Sequence, residues 1–180
     1  MFAWLKTRKN VQRNARQLYE CIVSQARQPD FYRRIGVLDT LEGRFEMIVL
    51  HLFLVLDRLS AFRPGSDELA RTLSETFVTD MDDCMRELGV GDTSVPKKVK
   101  RAAIALAERS AVYKNATKAG RDELAEALRA CSGSLEEEQL SEDASRQLAD
   151  YVLACQEKLA QQDFSADPAP NPEFADIRAF

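Results

Sequence analysis

Residues 40–62 read TLEGRFEMIVLHLFLVLDRLSAF. Thr40 stands just ahead of an unbroken helical pattern, where its hydroxyl can accept a backbone N–H and start a helix. Leu41, Phe45, Ile48, Val49, Leu52, Phe53, Leu56 and Leu59 recur at helical spacing and form one apolar face. Met47, Leu50, Leu54 and Val55 add apolar character to the opposite side. A helix apolar nearly all round is wrapped by neighbours, or packs one face inside and turns another to a partner. The ten-residue apolar run from Met47 to Leu56 holds His51 and falls well short of the ~20 residues that span a bilayer. The stretch predicts the central helix of a soluble or peripheral helical protein.

Working outward, the chain predicts six helices in one irregular all-α bundle. A first helix runs from about Lys9 to Arg27 and is ended by Pro29. A short turn, FYRRIG, follows, with Asp30 as its cap and Gly36 as its closing residue. After the central helix, Pro64 and Gly65 break the chain, and Ser66 or Asp67 starts a helix that ends at Leu88 before Gly89. Leu69, Leu73, Phe77, Met81, Cys84 and Leu88 make its continuous stripe. Ser94 caps a helix over Val95–Lys118, Pro96 sits in its first turn, and Val99, Ala103, Leu106, Ser110 and Tyr113 face inward. A short helix over 121–131 turns Leu124 and Leu128 inward, a loop forms at Gly133, and a last helix spans about Ser141–Gln162. Three of the six prolines crowd into 163–180, so that Pro-rich, acidic segment reads as a flexible tail.

Composition agrees with a single globular domain: 45% apolar and 30% charged residues in a chain of 180. The organisation expected is a basic arm over 1–9, a helical domain over 10–162 and the tail. Cys21, Cys84, Cys131 and Cys155 have no metal-motif spacing and read as small apolar thiols in reduced form. Net charge is −4, split between a basic front and an acidic end. Lys6, Arg8, Lys9, Arg13 and Arg16 all precede the first acid, Glu20. With Phe2, Trp4 and Leu5 they suit an anionic membrane surface or RNA, or form a frayed solvated terminus. No signal peptide is recognisable.

The best candidate for site chemistry is DMDDCMRELGVGDTSVPKK, residues 80–98. It fails as a calcium loop, because Cys84 and Met85 take a ligand and the glycine place. GVGD lacks the lysine and hydroxyl of a phosphate loop. A single histidine, with Ile48 three positions before it, excludes the Glu-x-x-His pairs of a di-iron bundle and leaves a zinc site and a His-based triad unsupported. His51 reads as a hydrogen-bonded core residue, with a lone haem ligand as the alternative. Lys97, Lys98, Lys100 and Arg101 form a solvated face or a contact for phosphate and lipid headgroups. The stretch ends one helix and begins the next, with carboxylates set against the dipole of the first.

Three stretches together carry a resemblance. Residues 18–59 contain QARxPxFYxxxGVxDTxxGRFExxxLH, residues 77–103 contain DMDxxxRExGVGDxxVxKKxK, and residues 108–116 read ERSAVYKNA. In order and spacing they resemble the ubiquinol–cytochrome c chaperone family, over roughly residues 10–118. The chain departs from that pattern at ALAERSAVY, 105–113, where Leu106, Ala107 and Glu108 stand in place of an aromatic pair and a glycine, while Arg109 and Tyr113 remain. The resemblance implies a non-catalytic assembly factor without cofactor, for the cytochrome bc complex. Its implied client is newly made cytochrome b. A ribosome, a partner assembly factor and a membrane surface are further implied contacts, and DNA is not one. The expected place is cytoplasmic or peripheral at the inner membrane, on the matrix side in a mitochondrion. The expected client surface comprises Arg44, Phe45, His51, Asp80, Asp82, Arg86, Glu87, Asp92, Lys97, Lys98, Arg109 and Tyr113. The competing classes are a ribosome- or RNA-associated helical protein and a haem carrier using His51.

Overall fold

The computed structural model describes residues 2–62, 64–132, 139–164, 166 and 168–180, with side chains from residue 8 onward. Six helices carry the fold: α1 Phe2–Ala26, α2 Leu41–Ser60, α3 Asp67–Glu87, α4 Val95–Ala119, α5 Arg121–Cys131 and α6 Glu142–Ala160. The expected loop at Gly133 and the side chains of Phe2, Trp4, Leu5 and Lys6 lie outside the described residues.

The central helix is as its pattern predicts. Every residue from Met47 to Val55 is buried, and α2 packs against α1, α3, α4 and α6. Burial of each Leu, Ile, Val, Phe or Met side chain there contributes ~1.5–3 kcal/mol, enough to organise the bundle around this element. Thr40 Oγ1 accepts the Gly43 N–H at 3.1 Å, so the expected cap forms. Gly43 has a further reason to be glycine: a Cβ there would lie 2.0 Å from the Leu38 carbonyl oxygen, which rests on the first turn of α2.

Between α1 and α2, Phe31–Ile35 forms a π-helical turn closed by Gly36 at φ 91°. That left-handed geometry suits glycine. The turn buries Phe31 against the rings of His51 and Tyr151, at centroid distances of 5.3 and 5.0 Å.

Several local expectations are corrected. The N-terminal segment is part of α1 from Phe2, because the helical pattern runs upstream of Lys9 without a breaker. Asp30, Ser66 and Ser94 precede helices but make no side-chain cap bond. Ser66 instead donates to the Leu59 carbonyl at 2.6 Å, pinning the α2–α3 turn to the end of α2. On α4, Leu106 and Tyr113 are buried as expected, together with Val95, Ala102 and Ala116, whereas Val99, Ala103 and Ser110 are half-buried.

The largest correction concerns the tail. Phe164, Ala169, Ala175 and Ile177 are buried, and Phe174 packs its ring 5.1 Å from His51. Phe180 lies 6.1 Å from Tyr151. Gln162 clamps the strand-like return: its Nε2 donates to Asn171 O and its Oε1 accepts from Glu173 N, both at 2.9 Å. Prolines preset an extended backbone here, and widely spaced apolar side chains find the groove beside α2 and α6. Average composition could not reveal that fit.

Candidate functional site

At the α3–α4 corner the backbone explains the sequence. The Val90 N–H reaches Met85 O and the Gly89 N–H reaches Arg86 O, both at 3.0 Å, with Gly89 at φ 75°. This paired closure is a Schellman end, which satisfies the last carbonyls of α3 and places glycine where the chain turns left-handed. Arg86 offsets one of the carboxylates that oppose the helix dipole and engages a second one from the loop. Arg86 Nε donates to Asp82 Oδ2 at 2.6 Å and Nη1 donates to Asp92 Oδ1 at 2.8 Å, so one guanidinium ties the helix end to the loop. Those bonds hold the Arg86 guanidinium above its ordinary pKa. Glu87, Lys97 and Lys98 are exposed at the same corner, and among the described residues the two lysines make no ion pair. Leu88 also projects there, 57% exposed.

The expected surface therefore separates by depth. Asp82, Arg86, Glu87, Asp92, Lys97 and Lys98 form the accessible corner. Asp80 is half-buried and accepts the Tyr19 hydroxyl at 2.7 Å, which joins α1 to α3 and, together with burial, drives the Tyr19 pKa up. Phe45 is half-buried, its ring 6.2 Å from Phe77. Arg44 is exposed, donates to Asp39 Oδ1 at 2.6 Å and lies over the Tyr32 ring.

Three expected contact residues sit deeper. Arg109 spans both oxygens of Glu46, through Nε and Nη2 at 3.2 Å each, and braces α4 against α2. Burial pushes the Glu46 carboxyl up while Arg109 pulls it back. Tyr113 is buried behind that pair, its ring 5.6 Å from Phe53. His51 is wholly buried. These last two are corrected as contact residues: the helical pattern places them on faces that other helices cover.

His51 has a full set of partners. Nδ1 lies 2.7 Å from the Met47 carbonyl, which can only accept, so Nδ1 carries the proton. Nε2 then accepts the Tyr151 hydroxyl at 2.8 Å, and that hydroxyl accepts from Gln25 Nε2 at 3.0 Å. Phe31 and Phe174 enclose the ring edge-on. Burial lowers its pKa to about 4, against the opposing pull of the Met47 carbonyl. With both nitrogens engaged and no exposed edge, the imidazole has no free position for a haem iron. Sequence reading missed Glu46, Gln25 and Tyr151 as partners; Glu46 alone left a signal, as an acid inside an apolar stripe.

Among the described residues no three His, Cys, Asp or Glu side chains are placed to hold a metal ion, and no helix is long and apolar enough to cross a membrane. No curated protein matches the sequence. A crystal structure of the Cbp3 homolog from Brucella abortus is 34% identical, with a TM-score of 0.82, over 99% of this chain and 98% of that one. The family described as ubiquinol-cytochrome C chaperone matches residues 33–166. Because that match takes in most of the chain, including the central helix, the α3–α4 corner and the Glu46–Arg109 brace, the protein belongs to the ubiquinol-cytochrome c chaperone family.

Proposed function

We propose that the chain is an assembly factor for the cytochrome bc complex that binds newly made cytochrome b and shields it until haem and later subunits arrive. The observation that carries this reading is family membership together with likeness to the Brucella protein along nearly the whole chain. The client surface centres on Asp82, Arg86, Glu87, Asp92, Lys97 and Lys98, with Arg44, Phe45 and Asp80 beside it. His51, Tyr113 and Arg109 act behind it, by fixing the helices that present it. Exposed Leu88 supplies an apolar contact within a charged rim. Such a rim suits the end of a membrane helix, where apolar side chains meet polar flanks. The basic side chains at the start of α4 and along α1 favour work at an anionic surface, lipid or ribosomal.

The test is a strain carrying Asp82→Arg in place of the native gene, beside a full deletion. Cytochrome b and bc complex content should fall in both, while the variant protein accumulates and melts normally. The Asp82–Arg86 pair is exposed, so its loss leaves the core untouched. Normal bc complex in the deletion strain would overturn the function. Normal complex in the Asp82→Arg strain alone would overturn the surface.

A further inference from the structure

A cleft of about 230 Å³ opens where the end of α1, the π-helical turn and the start of α2 meet. Its lining is Arg27, Pro29, Tyr32, Arg33, Asp39 and Arg44. Three arginines and a single aspartate thus line one cleft. That carboxylate is already used: Asp39 accepts from Arg44 at 2.6 Å, which holds its carboxyl below the ordinary range. Arg27 and Arg33 are exposed and make no ion pair among the described residues. The walls are held in place. Tyr32 donates its hydroxyl to the Ala26 carbonyl at 2.7 Å, and the Arg44 guanidinium carbon stands 5.9 Å from the Tyr32 ring centroid.

Basic residues near a helix C-terminus are ordinarily favoured by its dipole. That effect asks for cations near the last turn of α1. It does not ask that side chains from three separate segments converge on one hollow with two of them unpaired.

We propose that this cleft binds a phosphate monoester, carried either by a lipid headgroup or by a soluble phosphate ester. The cleft holds a net of two positive charges, and a phosphate monoester carries about −1.5 to −2 at neutral pH. A single carboxylate would leave half of the excess unmet. Guanidinium forks engage pairs of oxygens, and a tetrahedral phosphate offers enough oxygens for more than one fork at once. The volume takes a headgroup-sized anion and is smaller than the ~300–1,000 Å³ of pockets that swallow a whole cofactor. Arg44 is shared with the client surface proposed above, but the inference stands on Arg27 and Arg33, which that reading does not use.

The test uses the full chain at fixed salt. Glycerol 3-phosphate is titrated calorimetrically. Separately, the protein is sedimented with phosphatidylcholine vesicles containing either phosphatidic acid, a monoester, or phosphatidylglycerol, a diester. The double variant Arg27→Gln/Arg33→Gln is compared with Lys114→Gln/Lys118→Gln, which removes the same charge at the exposed far end of α4, outside the cleft and the client surface. We expect monoester binding to weaken about tenfold or more in the arginine variant and less than about twofold in the lysine variant. Binding of soluble ester alone, or of phosphatidic acid vesicles alone, supports the site and identifies the source. The proposal is overturned if neither monoester saturates, if phosphatidylglycerol binds equally well, or if the lysine variant loses as much. The outcome is independent of cytochrome b content, so it fails or stands separately from the client reading.

Discussion

Acid should destabilise this protein through one buried ring. His51 is the only histidine in the chain, and burial lowers its pKa to about 4 from an ordinary 6.5. Between those values the unfolded chain binds a proton that the folded protein refuses. Stability therefore rises with pH across this window, is fully present above about pH 6.5, and is lost as pH falls toward 4. At 1.36 kcal/mol per pKa unit, the whole window is worth about 3 kcal/mol, of which about 2 kcal/mol is lost between pH 7 and pH 5. Glu46 acts in the opposite direction. Its raised carboxyl pKa favours the folded state as pH drops through the raised value toward 4.5. Asp39, Asp150 and Asp176 have lowered pKa values and weaken the fold only below about pH 4. The assay is urea unfolding at pH 7, 6, 5.5 and 5 for the native chain and for His51→Gln. The variant lacks the titrating ring but keeps Glu46, so the difference between the two slopes isolates His51. The variant starts less stable by ~1–3 kcal/mol, because the Tyr151 hydroxyl loses its acceptor. Its stability should then stay nearly level where the native chain declines. Equal slopes in the two proteins would refute the argument.

Two further outcomes follow from packing. Phe164→Ala should cost ~3–5 kcal/mol, seen as a drop of roughly 10 °C in Tm, because Phe164 is 2% exposed under the C-terminal segment; an unchanged Tm would mean that the segment does not pack. Gly43→Ala should cost ~1–3 kcal/mol in chemical denaturation, since its Cβ would sit 2.0 Å from the Leu38 oxygen. Gly91→Ala, with open space around it, should be close to neutral in the same assay, and a comparable loss at both glycines would remove the steric explanation.

The corner at 80–98 shows how far local reasoning reaches. Gly89 as a helix-ending residue was legible, since few other residues accept its backbone geometry. Arg86 bonds to Asp82 at the four-residue spacing that one helix face provides. Its second bond, to Asp92 across the loop, was not fixed by spacing, because the turn decides where that carboxylate lies. The same limit applies to Glu46 and Arg109, sixty-three positions apart and on different helices.

The amino-acid pattern alone determined the helical class, the central place of α2, the Thr40 cap and the breaks at Pro29, Gly36, Gly65 and Gly89. These depend on forces that act within a turn or two: side-chain periodicity, capping and backbone permissiveness. Tertiary structure alone decided that His51 and Tyr113 lie inside and that Phe164, Phe174 and Ile177 lash the C-terminal segment to the core. It also decided that Arg27, Arg33 and Arg44 share one cleft. Burial and ion pairing depend on which faces meet, and helices distant in sequence choose those meetings by packing together as a whole.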